Sequence, residues 1–220
     1  INEAACWGSA ACSGVDYWFC DEGNTQSECI INSTRDATTD STKNLKDLTI
    51  GTNGSLIMNY SQITLTNLHV HQNGSISGNL NFTGKTILID EGGILTGDSY
   101  GFANNSGPGN GSEDLTGGGG GGGYGGYGGT SNTGLGGGAP YGSITEPLER
   151  GSGGGSRGSS YPGAYGGGLI WINATETLNI TGTIKSNGGN SGDYGGGGSG
   201  GGIYLRADTV TGKGNVTSNG

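Results

Sequence analysis

Ten asparagines in this chain each stand two positions ahead of a serine or threonine, with no proline between: Asn32, Asn53, Asn59, Asn73, Asn81, Asn104, Asn110, Asn173, Asn179 and Asn215. That triplet is the acceptor pattern for N-linked glycans. With 20 Asn and 45 Ser or Thr in 220 residues, random order gives about four such triplets, so the excess is roughly 2.5-fold. Parity adds to the count. Asn81 lies between Leu80 and Phe82, and Asn179 between Leu178 and Ile180, while Asn173 follows Ile172 and Asn215 precedes Val216. On a strand, alternate side chains point to opposite faces. Each acceptor therefore takes the face opposite its apolar neighbours, which a bulky, polar glycan requires. The competing reading is a solvated Asn/Thr-rich strand face that carries no sugar.

The four cysteines, Cys6, Cys12, Cys20 and Cys29, all fall in the first 29 residues. An even number in a short, weakly hydrophobic segment reads as two disulfides and an oxidising compartment. Three pairings are open. The spacing contains no Cys-x-x-Cys pair, which speaks against zinc.

The remaining reactive residues carry weaker signals. His69 and His71 share one strand face, and alternate strand histidines can chelate a metal. No third donor is near them in sequence, so they read as an exposed polar face. Asp90-Glu91 and Glu113-Asp114 offer loop carboxylates to calcium, which takes 6–8 oxygens. Asp193, after Gly188-Gly-Asn-Ser-Gly, is out of register with a calcium nonapeptide. Gly197-Gly-Ser199-Gly-Gly201 has the form Gly-x-Ser-x-Gly. It lacks a strand-to-helix context, and both histidines precede it. Glu146 and Glu149 beside Arg150 are the nearest approach to the paired carboxylates of a polysaccharide lyase or glycosidase. They read as surface charges in a glycine-rich block. The expectation is therefore a protein that is not an enzyme and has no resident cofactor or metal.

The elements that must position these residues are unusual in composition. Glycine accounts for 54 of the 220 residues and proline for 4. Collagen is excluded, because there is no strict three-residue period. The formal charge of −9 opposes binding to phosphate backbones and anionic membrane surfaces. No apolar run approaches the roughly 18 residues that span a bilayer.

Residues 1–46 read as a cysteine-containing N-terminal segment and linker, with Trp7, Tyr17, Trp18 and Phe19 as a small aromatic core. Residues 47–97 read as short strands over 48–50, 55–58, 63–70, 75–77, 79–82, 86–89 and 93–95. Turns are expected at Asn53-Gly54, Asn73-Gly74, Gly84-Lys85 and Gly92-Gly93. Leu48, Leu68 and Ile87 recur at 19–20 residues, close to one turn of a parallel β-solenoid. Residues 98–168 are glycine-dominated, readable as linkers or as extended, polyproline-II-like segments that pack closely. Residues 166–220 contain a repeat: the Gly-Gly-Gly starts at 166 and 200 are 34 apart, and the Ser-Asn-Gly ends at 186 and 218 are 32 apart. The second copy stops where its glycine excursion should begin, so the reading is of a section of a longer array.

The block Tyr141-Gly-Ser-Ile-Thr-Glu-Pro-Leu-Glu-Arg-Gly-Ser-Gly-Gly-Gly155, followed by Gly-Gly-Gly-Leu-Ile-Trp-Ile and Thr-Gly-Thr-Ile-Lys-Ser-Asn-Gly-Gly, resembles a broad family of large glycine-rich repeat proteins, surface or secreted proteins of protists and bacteria. The resemblance covers about residues 85–220 and leaves the cysteine segment outside. It implies an extracellular, repetitive, β-solenoid-like architecture and no catalytic residue.

The expectation is an all-β chain: a parallel β-solenoid over 47–220 with glycine-rich insertions, behind a disulfide-stapled N-terminal segment. It would serve as a glycan-coated extracellular structural protein, part of a fibre or cell-surface appendage. Its partners would be copies of itself or neighbouring repeats of the same chain. A carbohydrate-binding adhesin, using the tyrosines of residues 124–165, is the alternative.

Overall fold

The computed structural model describes residues 20–23, 27–38 and 43–220. Cys6, Cys12 and the expected aromatic core of Trp7, Tyr17, Trp18 and Phe19 lie outside these. The described chain is all-β, with no helix, and therefore none long and apolar enough to cross a membrane. In chain order the strands are β1 (Glu22–Gly23), β2 (Glu28–Ile31), β3 (Thr34–Asp36), β4 (Lys43–Asn44), β5 (Asp47–Ile50), β6 (Ser55–Thr64), β7 (Asn67–Val70), β8 (Ser75–Ile89), β9 (Ile94–Thr96), β10 (Leu169–Ile180), β11 (Thr183–Lys185), β12 (Gly202–Arg206), β13 (Thr209–Thr211) and β14 (Asn215–Thr217).

All pairings except β1 with β2 are parallel, and they fall into three columns. The first runs β2–β5–β7, then through residues 86–89 of β8 and 177–180 of β10 to β13, with β1 laid antiparallel on β2. The second runs β3–β6–β8–β9–β11–β14. The third runs from β4 through the later part of β6, the middle of β8 and the start of β10 to β12. Long strands such as β8 thus serve more than one column. Gly78, at φ +130, lies where β8 passes from the second column to the third. Gly84-Lys85, expected as a turn, lies within β8, where the chain passes from the third column to the first.

Register explains the hydrophobic pattern. Leu48 pairs Leu68, Leu68 pairs Ile87, Ile87 pairs Leu178, and Leu178 pairs Val210. The first four are fully buried. Neighbouring strands stand about 4.8 Å apart, so each inward side chain packs on the one above and the one below. Burying a side chain of this size contributes about 1.5–3 kcal/mol. Phe82 and Ile172 do the same in the third column, and Ile76, Leu95 and Ile184 in the second. Intervening residues face outward, which gives the alternating burial along β5, β7, β8 and β10. Pairing begins ahead of residue 46: β2, β3 and β4 join the columns.

Two glycine-rich insertions leave after the second column and return at the third, between β9 and β10 and between β11 and β12. They are ordered by backbone hydrogen bonds with a three-residue repeat. The N–H of Gly119 donates to Tyr194 (2.8 Å), Gly120 to Ser112 (3.0 Å), Gly121 to Gly129 (2.8 Å), Gly122 to Gly197 (2.9 Å) and Gly123 to Gly109 (2.7 Å). Successive amides turn to three different neighbours, and the fourth returns to the first. Segments this close need glycine. A Cβ on Gly111 or Gly196 would lie 1.9 Å from the Gly120 carbonyl oxygen.

Candidate functional site

The ten asparagines of the triplets sit on strands, turns and glycine-rich loops, and none is buried. Asn53 and Asn73 occupy two-residue turns at φ 70 and 60, a conformation asparagine tolerates better than most residues. Asn32 and Asn110 are exposed in loops, Asn59 and Asn215 are exposed on β6 and β14, and Asn81, Asn173 and Asn179 are half-exposed on β8 and β10. The apolar neighbours of Asn81 and Asn179 point inward and are buried. The acceptor nitrogens differ in what already holds them. Asn32 Nδ2 donates to Glu22 Oε1 (3.0 Å), Asn104 Nδ2 to Ser156 Oγ (3.0 Å) and Asn110 Nδ2 to the Gly111 carbonyl (3.2 Å). Asn53, Asn59, Asn73 and Asn215 are exposed and, among the described residues, their Nδ2 atoms donate no such bond, which leaves them the most accessible of the ten.

Cys20 and Cys29 form a disulfide that ties the chain ahead of β1 to the inward face of β2. Asp21 alongside is a hydrogen-bond hub. It accepts from the Asn32 and Ser33 amides (2.6 and 2.7 Å), the Ser33 hydroxyl (2.8 Å) and Arg35 Nε (2.9 Å), and pairs with the Arg35 guanidinium. Burial raises its pKa, but these donors outweigh it and hold the carboxyl below the usual aspartate range.

The other sequence candidates take separate roles. Ser199 is buried among the glycine-rich segments, and its Oγ accepts from the Ser152 N–H (2.8 Å), a structural role. Glu146 and Glu149 are both exposed, as are Glu91, Glu113 and Asp193. Asp114 is buried: Oδ1 accepts from the Thr116 amide and hydroxyl (2.8 and 2.9 Å) and the Gly117 amide (3.0 Å), and Oδ2 from the Thr133 hydroxyl. These bonds, the one from Thr133 first, hold its pKa far below the ordinary value.

Sequence reasoning missed one arrangement. His69 and His71 meet Asp90, which the adjacent turn of backbone places beside them. His69 Nε2 is 2.9 Å and His71 Nδ1 3.1 Å from the same Asp90 oxygen, Oδ2. Among the described residues this is the one group of three His, Cys, Asp or Glu side chains whose donor atoms could surround a cation. The signal was present: Asp90 lies 19 residues after His71, the same step that carries Leu68 to Ile87.

Tyrosine and tryptophan side chains form three exposed or half-exposed pairs, one of them Tyr124 and Tyr141, edge to face with centroids 5.0 Å apart. Trp171 stacks on its register partner Tyr204, with centroids 5.9 Å apart. Tyr161 and Tyr194 meet edge to face at 5.1 Å, with the Arg157 guanidinium 4.4 Å from the Tyr194 ring centre.

No protein-family model matches the chain, and no curated protein or solved structure shows significant similarity to it.

Proposed function

We propose that this chain is a section of an extracellular structural glycoprotein, a β-solenoid coated with N-linked glycans that forms part of a fibre or cell-surface appendage. The observation that carries this reading is the segregation of the acceptors. Ten glycan triplets occur where about four are expected by chance, and none of the ten asparagines is a buried residue, although Asn81 Oδ1 is shielded from solvent without a hydrogen-bond partner. The 19–21-residue steps between successive parallel strands up to residue 96 support the solenoid. The three-residue rotation of hydrogen-bond partners supports polyproline-II-like packing of the glycine segments beside it. The disulfide supports an oxidising compartment. Such a body offers binding surface at its outer faces and open strand edges. It is not an enzyme on this reading.

The exposure of the outermost strands supports the assembly reading. Val210 and Val216 continue the inward rows of Leu178 and Ile184, yet they are 57 % and 45 % exposed. A further turn of backbone, from a second copy or from neighbouring repeats of the same chain, would cover them. Intact mass of native material before and after enzymatic deglycosylation tests the glycoprotein reading. The expected result is a loss of several core glycans, and a loss of less than one would refute it.

A second reading has its own support. Tyr127, Tyr161, Tyr165 and Tyr194 are exposed, with Arg157 beside two of them. Aromatic faces of this kind suit an adhesin that binds carbohydrate. Binding on a glycan array, lost in a Tyr161→Ala and Tyr194→Ala double variant, would favour it over the purely structural role.

A further inference from the structure

We propose that His69, His71 and Asp90 form a binding site for a divalent transition-metal ion of the zinc, nickel or copper class. The site is set by the sheet. His69 and His71 project from the outward face of the first column, on either side of the buried Val70. The parallel register pairs His69 with Leu88, and the Asp90 amide donates to the Val70 carbonyl (2.9 Å). That bond extends the ladder one step beyond Ile89 and brings the Asp90 carboxylate alongside both imidazoles. The backbone that carries all three donors is held between buried side chains, so their spacing does not depend on a loose loop.

The geometry suits an ion. Both ring nitrogens approach one carboxylate oxygen, at 2.9 and 3.1 Å, and the rings lie 3.8 Å apart. An ion about 2.1 Å from each donor would subtend those two edges at about 87–95°. That is the angle between neighbouring ligands in octahedral or square-based coordination, and a small ring rotation reaches the tetrahedral one. The side chains are 32 %, 40 % and 43 % exposed, so water can enter and complete the shell. Two imidazoles and one carboxylate form a borderline donor set. It favours zinc, nickel and copper over calcium, which wants 6–8 oxygens. The net charge of −9 adds a general attraction for cations. The site is independent of the glycans and of assembly, so it stands or falls apart from the structural reading.

The chain has 2 histidines, both in this cluster, so their signals report on it alone. Calorimetric titration of the 220-residue chain with nickel, zinc and calcium chloride is the test. Expected are a single saturable equivalent of nickel or zinc, no matching calcium isotherm, and affinity lowered by more than about tenfold in each of His69→Ala, His71→Ala and Asp90→Asn. Thermal unfolding without metal checks that the variants fold. A second measurement needs no variant: zinc should shift the ring resonances of both histidines together, at the same metal-to-protein ratio. Absence of a saturable isotherm, affinity unchanged in Asp90→Asn, or perturbation of only one imidazole would overturn the site and leave an outward hydrogen-bonded trio.

Discussion

Gly119 and Gly155 approach so closely that a Cβ on Gly119 would lie 1.8 Å from the Gly155 carbonyl oxygen. The atom in the way is backbone, so it cannot swing aside like the end of a side chain. Gly119→Ala is expected to destabilise the glycine-rich bundle by about 1–3 kcal/mol, the usual range for overpacking. Gly125 is the matched control, because nothing lies within 4 Å of an added Cβ there. Gly125→Ala should be neutral or stabilising by up to about 1 kcal/mol through the unfolded chain. Denaturant unfolding of both variants checks the contrast. Equal effects would mean that the glycines are not in close packing.

Asp114 ties the same bundle through a carboxylate that must stay ionised. Its folded pKa lies below the ordinary value of 3.8, chiefly through the hydrogen bond from Thr133. A depressed folded pKa gives stability that is fully present above the unfolded value and is lost as pH falls towards the folded one. Wild type should therefore lose stability below about pH 4. Asp114→Asn should be less stable near neutral pH, and its deficit should shrink on acidification. Thermal unfolding of both proteins between about pH 6 and about pH 2.5 reads this directly. A constant deficit would show that the charge of Asp114 is irrelevant.

Much of the sheet was legible in the sequence because strands and turns leave local marks. Alternation marked 48–50, 86–89 and their neighbours, and Asn53-Gly54 and Asn73-Gly74 turn where expected, with positive φ at each asparagine. Leu48, Leu68 and Ile87 form one inward row. The continuation of that row was hidden. Leu178 follows Ile87 in register but stands 91 positions later, because an insertion without side-chain pattern intervenes. The partners within the insertions were illegible for a related reason: backbone amides that pair by close approach leave no trace in residue type beyond glycine itself. Asp90 is not legible beside His71 in local sequence, because the parallel register of the sheet brings together residues 19 positions apart.

The Cys20–Cys29 disulfide fastens the edge of the first column, and Cys29 itself is buried in line with Leu48. Closing so short a loop is worth about 2–3 kcal/mol by its effect on the unfolded chain. Reduction should therefore loosen β1, β2 and β3 first, while β8 and β10, paired on both sides, hold. Hydrogen exchange by mass spectrometry, with and without reductant, should show amides 28–36 exchanging faster on reduction and amides 86–89 unchanged. Uniform acceleration along the chain would mean that the sheet opens as one unit and that the disulfide guards all of it.

The inward row of the first column gives the last test, because its members share a register and differ in cover. Ile87 is enclosed by Leu68 and Leu178 above and below, whereas Val210 has Leu178 on one side only. Ile87→Ala removes atoms from a closed site, and the expected cost is about 2–5 kcal/mol. Val210→Ala removes atoms already in contact with water, and the expected change in the isolated chain is within about 0.5 kcal/mol. If a further turn of backbone covers this row in assembled material, the two costs should converge there. Val210→Ala would then weaken association, read by sedimentation of wild type and variant at matched concentration. A variant that associates as wild type does would show that the exposed valine is an ordinary surface residue and that assembly, if it occurs, uses another edge.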